Sequence, residues 1–196
     1  LDYAKTVERC GPYVDGFVIN VSSPNTPNLR ELQKDEDLAR IIIEVQKYSG
    51  QKPVLIKIAP DLEDMQIRSI VDTAKGLGCA GIIATNTTTM RPEDSGIMLE
   101  TGGLSGSPLR SRSTEIIRLI ADHTDGGWPI IGVGGISTSE DAWEKIINGA
   151  SLVQIYSAMV FKGASVVKEI VNGLEKKLKK EGLDDLNQAV GLARRN

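Results

Sequence analysis

Several residue types are scarce in this chain, and each scarcity removes a class of function. Of 196 residues only two are cysteine, Cys10 and Cys79, one is histidine, His123, and 4% are aromatic. Two cysteines outside any Cys-x-x-Cys spacing exclude a disulfide scaffold and a zinc ribbon. His123 stands beside Asp122 late in a helical stretch and follows no strand, which argues against a serine–histidine–aspartate triad. No His/Cys/Asp/Glu cluster has metal-ligand spacing. No apolar run reaches about 18 residues, so no segment spans a membrane by itself. The formal charge of −3 gives no electrostatic case for nucleic acid. With 20 glycines, 8 prolines and 25% charged residues, the composition is that of one globular domain rather than a disordered or repetitive chain. The sequence opens at Leu1 with no initiator methionine and no basic-then-apolar leader, so it is expected to belong to a longer protein.

What is present is a regular alternation. Five short runs rich in β-branched residues are 16–21 (GFVINV), 54–59 (VLIKIA), 81–85 (GIIAT), 130–133 (IIGV) and 152–156 (LVQIY). Their nearly continuous apolar character predicts parallel strands covered on both faces. Between them the apolar residues take helical spacing: Leu38, Ile41, Ile42 and Val45 before Gly50, then Ile67, Ile70, Val71 and Ala74 before Gly78. Ile116, Ile117 and Ile120 follow with Ser113 as a cap, then Ala142, Trp143, Ile146 and Ile147 behind Ser137 or Ser139, and last Val166, Val167, Ile170, Val171 and Leu174. Strand then helix, five times without a linker, is an α/β chain with a parallel sheet. The glycine-rich Gly132–Gly135 follows the fourth strand, not the first βα turn where a dinucleotide-binding sheet keeps its fingerprint. A (β/α)8 TIM barrel builds its phosphate site after strands 7 and 8, so the chain reads as the last five βα units of such a barrel, a single domain over 1–196 with three units upstream.

In a barrel the chemistry sits where strands end. Asn20 and Lys57 are polar residues inside apolar strands, and a buried lysine demands an anion or a strong acceptor. The plainer alternative is a lysine that reaches solvent or pairs with Asp61. Ser22-Ser23-Pro24-Asn25-Thr26 is a loop stiffened by proline and rich in hydroxyls and amides, or else a capping turn before the next helix. Asn25 and Asn86 each offer a donor and an acceptor, as a planar amide or imide ligand requires, although Thr85-Asn86-Thr87 also suits a strand-end turn. The glycines of GVGG let a backbone approach a phosphate, or merely make a tight turn. Cys10 and Cys79, preceding strands, read as small buried hydrophobes, Trp128 and Trp143 as packing, and Lys176, Lys177, Lys179 and Lys180 as a solvated helical face.

Taken together, NVSSPNT, KIAPD, TNTT, ETGGLSG-x-PLR, IIGVGGI and GASLVQIYSA, in this order, resemble the dihydroorotate dehydrogenase family from the first residues to the tail at 187–195. The resemblance implies a (β/α)8 barrel with FMN at its C-terminal mouth and oxidation of dihydroorotate to orotate in pyrimidine synthesis. By motif, Ser23 matches the catalytic base that takes the C5 proton while the C6 hydride passes to flavin N5. Asn20, Asn25, Asn86 and Thr87 match substrate-binding residues. Asn20, Lys57, Thr85, Gly106, Gly135, Tyr156 and Ser157 match FMN-binding residues, Lys57 at the N1/O2 edge and the last three around the phosphate. Serine rather than cysteine at position 23 resembles the membrane-associated class that passes electrons to a quinone. That class implies an upstream helical pair for quinone and peripheral membrane contact, and a mitochondrial inner membrane location with a bacterial inner membrane as the alternative. A serine base without a histidine needs a proton relay through water or a hydroxyl such as Thr26. Residues 1–196 alone, lacking the upstream strands, are expected neither to fold nor to bind FMN. Other FMN barrels acting on pyrimidines, or a redox-free phosphate-binding barrel, are the competing readings.

Overall fold

The structure, a computed structural model, describes residues 2–91 and 101–195. Glu100 of the ETGGLSG motif lies outside the described residues. The strands are β1 (Phe17–Asn20), β2 (Val54–Ile58), β3 (Gly81–Ala84), β4 (Ile130–Val133) and β5 (Leu152–Gln154). All are parallel and lie in the order β1-β2-β3-β4-β5, so each βα unit is laid down beside the last and the sheet grows in one direction. That order is an arc of a barrel, because a doubly wound sheet would reverse direction at a switch point.

The helices are α1 (Asp2–Cys10), α2 (Asp35–Ser49), α3 (Asp64–Gly76), α4 (Arg110–His123), α5 (Ser139–Ile147), α6 (Ser157–Lys162), α7 (Ser165–Glu181) and α8 (Leu186–Ala189). α1 to α5 pack consecutively, and α7 continues the row beside α5. Side chains of a strand alternate between faces, and one face carries Ile19, Ile56, Ile82 and Ile130, all in register and all at most 1% exposed against the helices. In the opposite, concave row of Asn20, Lys57, Ile83, Ile131 and Leu152, Ile83 is buried at the centre and Leu152 is exposed at the edge.

Two caps differ from the sequence reading. Ser113 caps nothing: α4 begins earlier, at Arg110, and the buried Ser113 Oγ donates to the Val133 carbonyl at 2.5 Å, fixing the end of β4. α5 is capped by Thr138, which exchanges hydrogen bonds with Asp141 in a capping box. Cys79 is buried as expected, but Cys10 is exposed, since it ends α1 on the outer surface. Trp128 is buried with its indole N–H on the Cys79 carbonyl at 2.9 Å, and Trp143 packs against the cluster built on α5 and α7.

The largest surprise in the core is Lys145 of α5, fully buried against β4 where Gly132 leaves room for its stem. Its ammonium donates to the Arg110 carbonyl at 2.7 Å and to Thr114 Oγ1 at 2.6 Å, and burial pushes it down to about 8. Between that value and the ordinary lysine value the unfolded chain keeps a proton that the native protein has released, so stability rises with pH across this window. In the full-length protein, denaturant unfolding at about pH 7 and about pH 10 is expected to show Lys145→Met losing a pH-dependent gain on the order of 3 kcal/mol. An unchanged difference between variant and wild type at the two pH values would refute this.

Candidate active site

The C-terminal ends of β2 to β5 surround a cavity of about 800 Å³. Its wall includes Lys57 from β2, Thr85, Asn86 and Thr87 after β3, Gly106 from the 101–109 loop, Gly134 to Ser137 after β4, and Tyr156 and Ser157 after β5. Eight of the residues singled out in the sequence therefore share one space: Lys57, Thr85, Asn86, Thr87, Gly106, Gly135, Tyr156 and Ser157. A cavity of this size, lined mainly by apolar and backbone groups with a few convergent polar ones, suits a small-molecule or cofactor site.

Lys57 stands on the concave face because residue 57 pairs in register with Asn20 on one side and Ile83 on the other. Its ammonium makes no hydrogen bond or ion pair among the described residues, and burial holds it below the ordinary lysine value. The alternative pairing with Asp61 does not form, because Asp61 is taken by Arg30 at 2.6 Å.

The opposite wall is a backbone cradle. Gly134 and Gly135 have φ of +128° and +70°, conformations that L side chains rarely adopt, and a Cβ on Gly135 would lie 2.6 Å from that of Arg110. Among the described residues the N–H groups of Gly135 and Ile136 donate to no protein acceptor. Behind the cradle the Arg110 guanidinium donates to the Gly135 carbonyl at 3.2 Å and pairs with Asp141 at 3.0 Å. At the rim, the hydroxyls of Ser105 and Ser157 meet at 2.8 Å.

Asn20, Ser23 and Asn25 are not part of this wall, and Asn20 is joined to it through Asn86. Asn86 Nδ2 donates to Asn20 Oδ1 at 3.2 Å and to the hydroxyl of the buried Ser22 at 3.0 Å, and the Asn86 side-chain carbonyl accepts from the Thr87 N–H at 2.8 Å. Ser23 is half-buried, with Oγ accepting from the Asn25 N–H at 3.3 Å. The 101–106 loop closes over this region: Gly103 lies so near Thr87 and Pro24 that a Cβ there would overlap the Thr87 hydroxyl. His123 is remote from all of this, at the other end of the sheet, bonded to Asp72 at 2.7 Å.

A model of the family described as Dihydroorotate dehydrogenase matches residues 1–178. The chain is also 49% identical over 98% of its length to the dihydroorotate dehydrogenase (quinone) of Trichodesmium erythraeum. The chain belongs to the dihydroorotate dehydrogenase family. The enzyme of the same name from Halobacterium salinarum is likewise 49% identical, over 97% of this chain. In three dimensions the chain superposes in full on the ligand-free DHODH of Eimeria tenella with a TM-score of 0.94 at 37% identity, covering 60% of that chain. The five βα units are therefore those of a (β/α)8 barrel.

This member of the family spans about half the length of the curated relatives, 53% and 54% of the two named above. Their sources, a cyanobacterium and an archaeon, correct the expectation of a mitochondrial inner membrane, since such cells have no mitochondria. Among the described residues no helix is long and apolar enough to cross a membrane. Sequence reasoning missed Arg30, Arg110 and Lys145. Arginines and lysines on helical or loop stretches read as solvated, and only the fold shows that these three point inward.

Proposed function

We propose that this chain supplies the C-terminal five-eighths of an FMN-dependent dihydroorotate dehydrogenase, which oxidises (S)-dihydroorotate to orotate with a quinone as electron acceptor. The observation that carries the reading is Lys57, a half-buried cation with no hydrogen bond or ion pair among the described residues, facing a cavity whose far wall is a glycine cradle. A flavin mononucleotide needs this pair of features: donors for a dianionic phosphate and a positive charge for the ring edge that gains electron density. Gly135, Tyr156 and Ser157 would hold the phosphate end and Lys57 the N1/O2 edge of the ring, with Thr85 and Gly106 also against the cofactor and Asn20 reaching both cofactor and substrate. FMN, when bound, supplies the acceptor for the hydride that leaves C6.

The chain's own residues do the rest. Asn20, Asn25, Asn86 and Thr87 present amide and hydroxyl groups that suit a carboxylate and the two ring amides of dihydroorotate. Ser23 Oγ takes the C5 proton and passes a proton outward through water or the Thr26 hydroxyl, so the serine is left neutral. The loop over Gly103 keeps bulk water from the reacting carbons.

The test is an anaerobic flavin spectrum of the full-length protein before and after dihydroorotate. Yellow protein that bleaches, and recovers its colour with a quinone but not with fumarate or NAD, is the expected result. A yellow protein indifferent to dihydroorotate would assign the barrel another pyrimidine, and a colourless one that ignores added FMN would end the flavin reading.

A further inference from the structure

Three loops converge on the substrate side of the site, those after β1 (21–34), β2 (59–63) and β3 (85–91), and one arginine touches all three. Arg30 sits in a short 3-10 turn, Leu29–Gln33, that follows Asn28 in the left-handed conformation (φ 60°). That reversal turns the Arg30 side chain inward, where it is 23% exposed. Its Nε donates to the Ser22 carbonyl at 3.1 Å, one terminal nitrogen to Asp61 Oδ2 at 2.6 Å, and the other to the Thr87 carbonyl at 2.9 Å. Asp61, 17% exposed, completes the tie from the β2 loop: Oδ1 accepts from the Thr88 hydroxyl, and Oδ2 from the Thr89 N–H at 2.9 Å and hydroxyl at 3.2 Å. Gln33 braces the turn, donating to the Arg30 carbonyl at 3.2 Å and accepting from the Ala59 N–H at 3.0 Å.

We propose that Arg30 and Asp61 are a positioning pair, which sets the register of the Ser23 loop against the Asn86–Thr87 loop without touching the substrate. The inference rests on the function proposed above. Ser22 and Thr87, whose carbonyls the guanidinium holds, are respectively the neighbour of the proposed base and a proposed substrate ligand. Only a planar fork reaches three acceptors at once, which a lysine ammonium on a flexible stem does not reproduce. The pair ties loops at the strand ends and lies outside the apolar core, so its loss is expected to loosen those loops before the sheet. Its work is geometric, and a displacement of about 1 Å between reacting groups can cost about 100-fold in rate.

The experiment uses the full-length holoenzyme with Arg30→Lys, Arg30→Gln, Asp61→Asn and the Arg30→Gln/Asp61→Asn double variant. All are expected to keep stoichiometric FMN and a cooperative thermal transition, with the double variant, which leaves neither charge unpaired, melting no lower than Arg30→Gln. Flavin reduction at saturating dihydroorotate should fall about 10- to 100-fold, orotate affinity less than tenfold, and the double variant should be no worse than Arg30→Gln, the signature of one coupled unit. Hydrogen exchange at the amides of Ser23, Asn25, Thr26 and residues 87–89 should rise together in the variants, a readout independent of turnover. Rates within twofold of wild type, losses that multiply in the double variant, or loss of FMN and fold in all variants including Arg30→Lys would each overturn the proposal. A wild-type protein that dihydroorotate does not bleach would instead overturn the function, and the exchange data would still read the tie.

Discussion

Ser23→Ala in the full-length enzyme is expected to retain its FMN and its melting temperature while flavin reduction by dihydroorotate slows by about 10²- to 10⁴-fold, the usual loss on removing a positioned base. The geometry makes the prediction selective. Ser23 Oγ accepts a single backbone hydrogen bond, from Asn25 at 3.3 Å, and supports no other element, so alanine removes chemistry and little structure. The one histidine of this sequence does not share the role, because His123 is bonded to Asp72 at the far end of the sheet. Anaerobic stopped-flow mixing reads the rate directly. A variant reduced near the wild-type rate would remove Ser23 from the mechanism and leave the site only a binding surface.

Lys57→Ala should be nearly as damaging, but in a different way. In the proposed site its ammonium would be the charge offered to the flavin ring, and loss of one preorganised donor of this kind costs about 10²- to 10³-fold. Here both FMN affinity and the rate of reduction are expected to fall, whereas Ser23→Ala should spare affinity. The pH dependence follows from burial, which holds Lys57 below the ordinary lysine value. The charge is present below that lowered value and disappears as pH rises through it. Wild-type affinity for FMN, followed by flavin fluorescence, should therefore decline on the alkaline side, while Lys57→Ala is flat over the same range. An affinity and a rate both unchanged by the substitution would mean that Lys57 merely faces solvent.

The pattern of the chain alone gives the strand–helix alternation, because β-branched runs and helical spacing are local and each run became a strand within two residues of its expected end. The same local logic failed at ends. The apolar run extends to Tyr156, whereas β5 covers Leu152–Gln154 and Tyr156 stands at the N-terminus of α6. It failed also for α1, whose apolar residues Ala4 and Val7 are too few to announce a helix until α2 is packed against them.

For the site, what was legible is any residue whose type conflicts with its surroundings. A lysine in a strand, an asparagine at a strand end and glycines in pairs are costly unless used, so Lys57, Asn20, Asn86 and Gly135 declared themselves in one dimension. Arg30, Arg110 and Lys145 did not, since a cation on a loop or helix is ordinary until the fold turns it inward. Sequence determined the order of the units and the chemistry at the strand ends, because both depend on residue type and on neighbours a few positions away. Tertiary structure alone decided which cation meets which acceptor. Asp61 went to Arg30 and not to Lys57, a choice between partners 31 and 4 positions distant in the chain that only the packing of three loops could make.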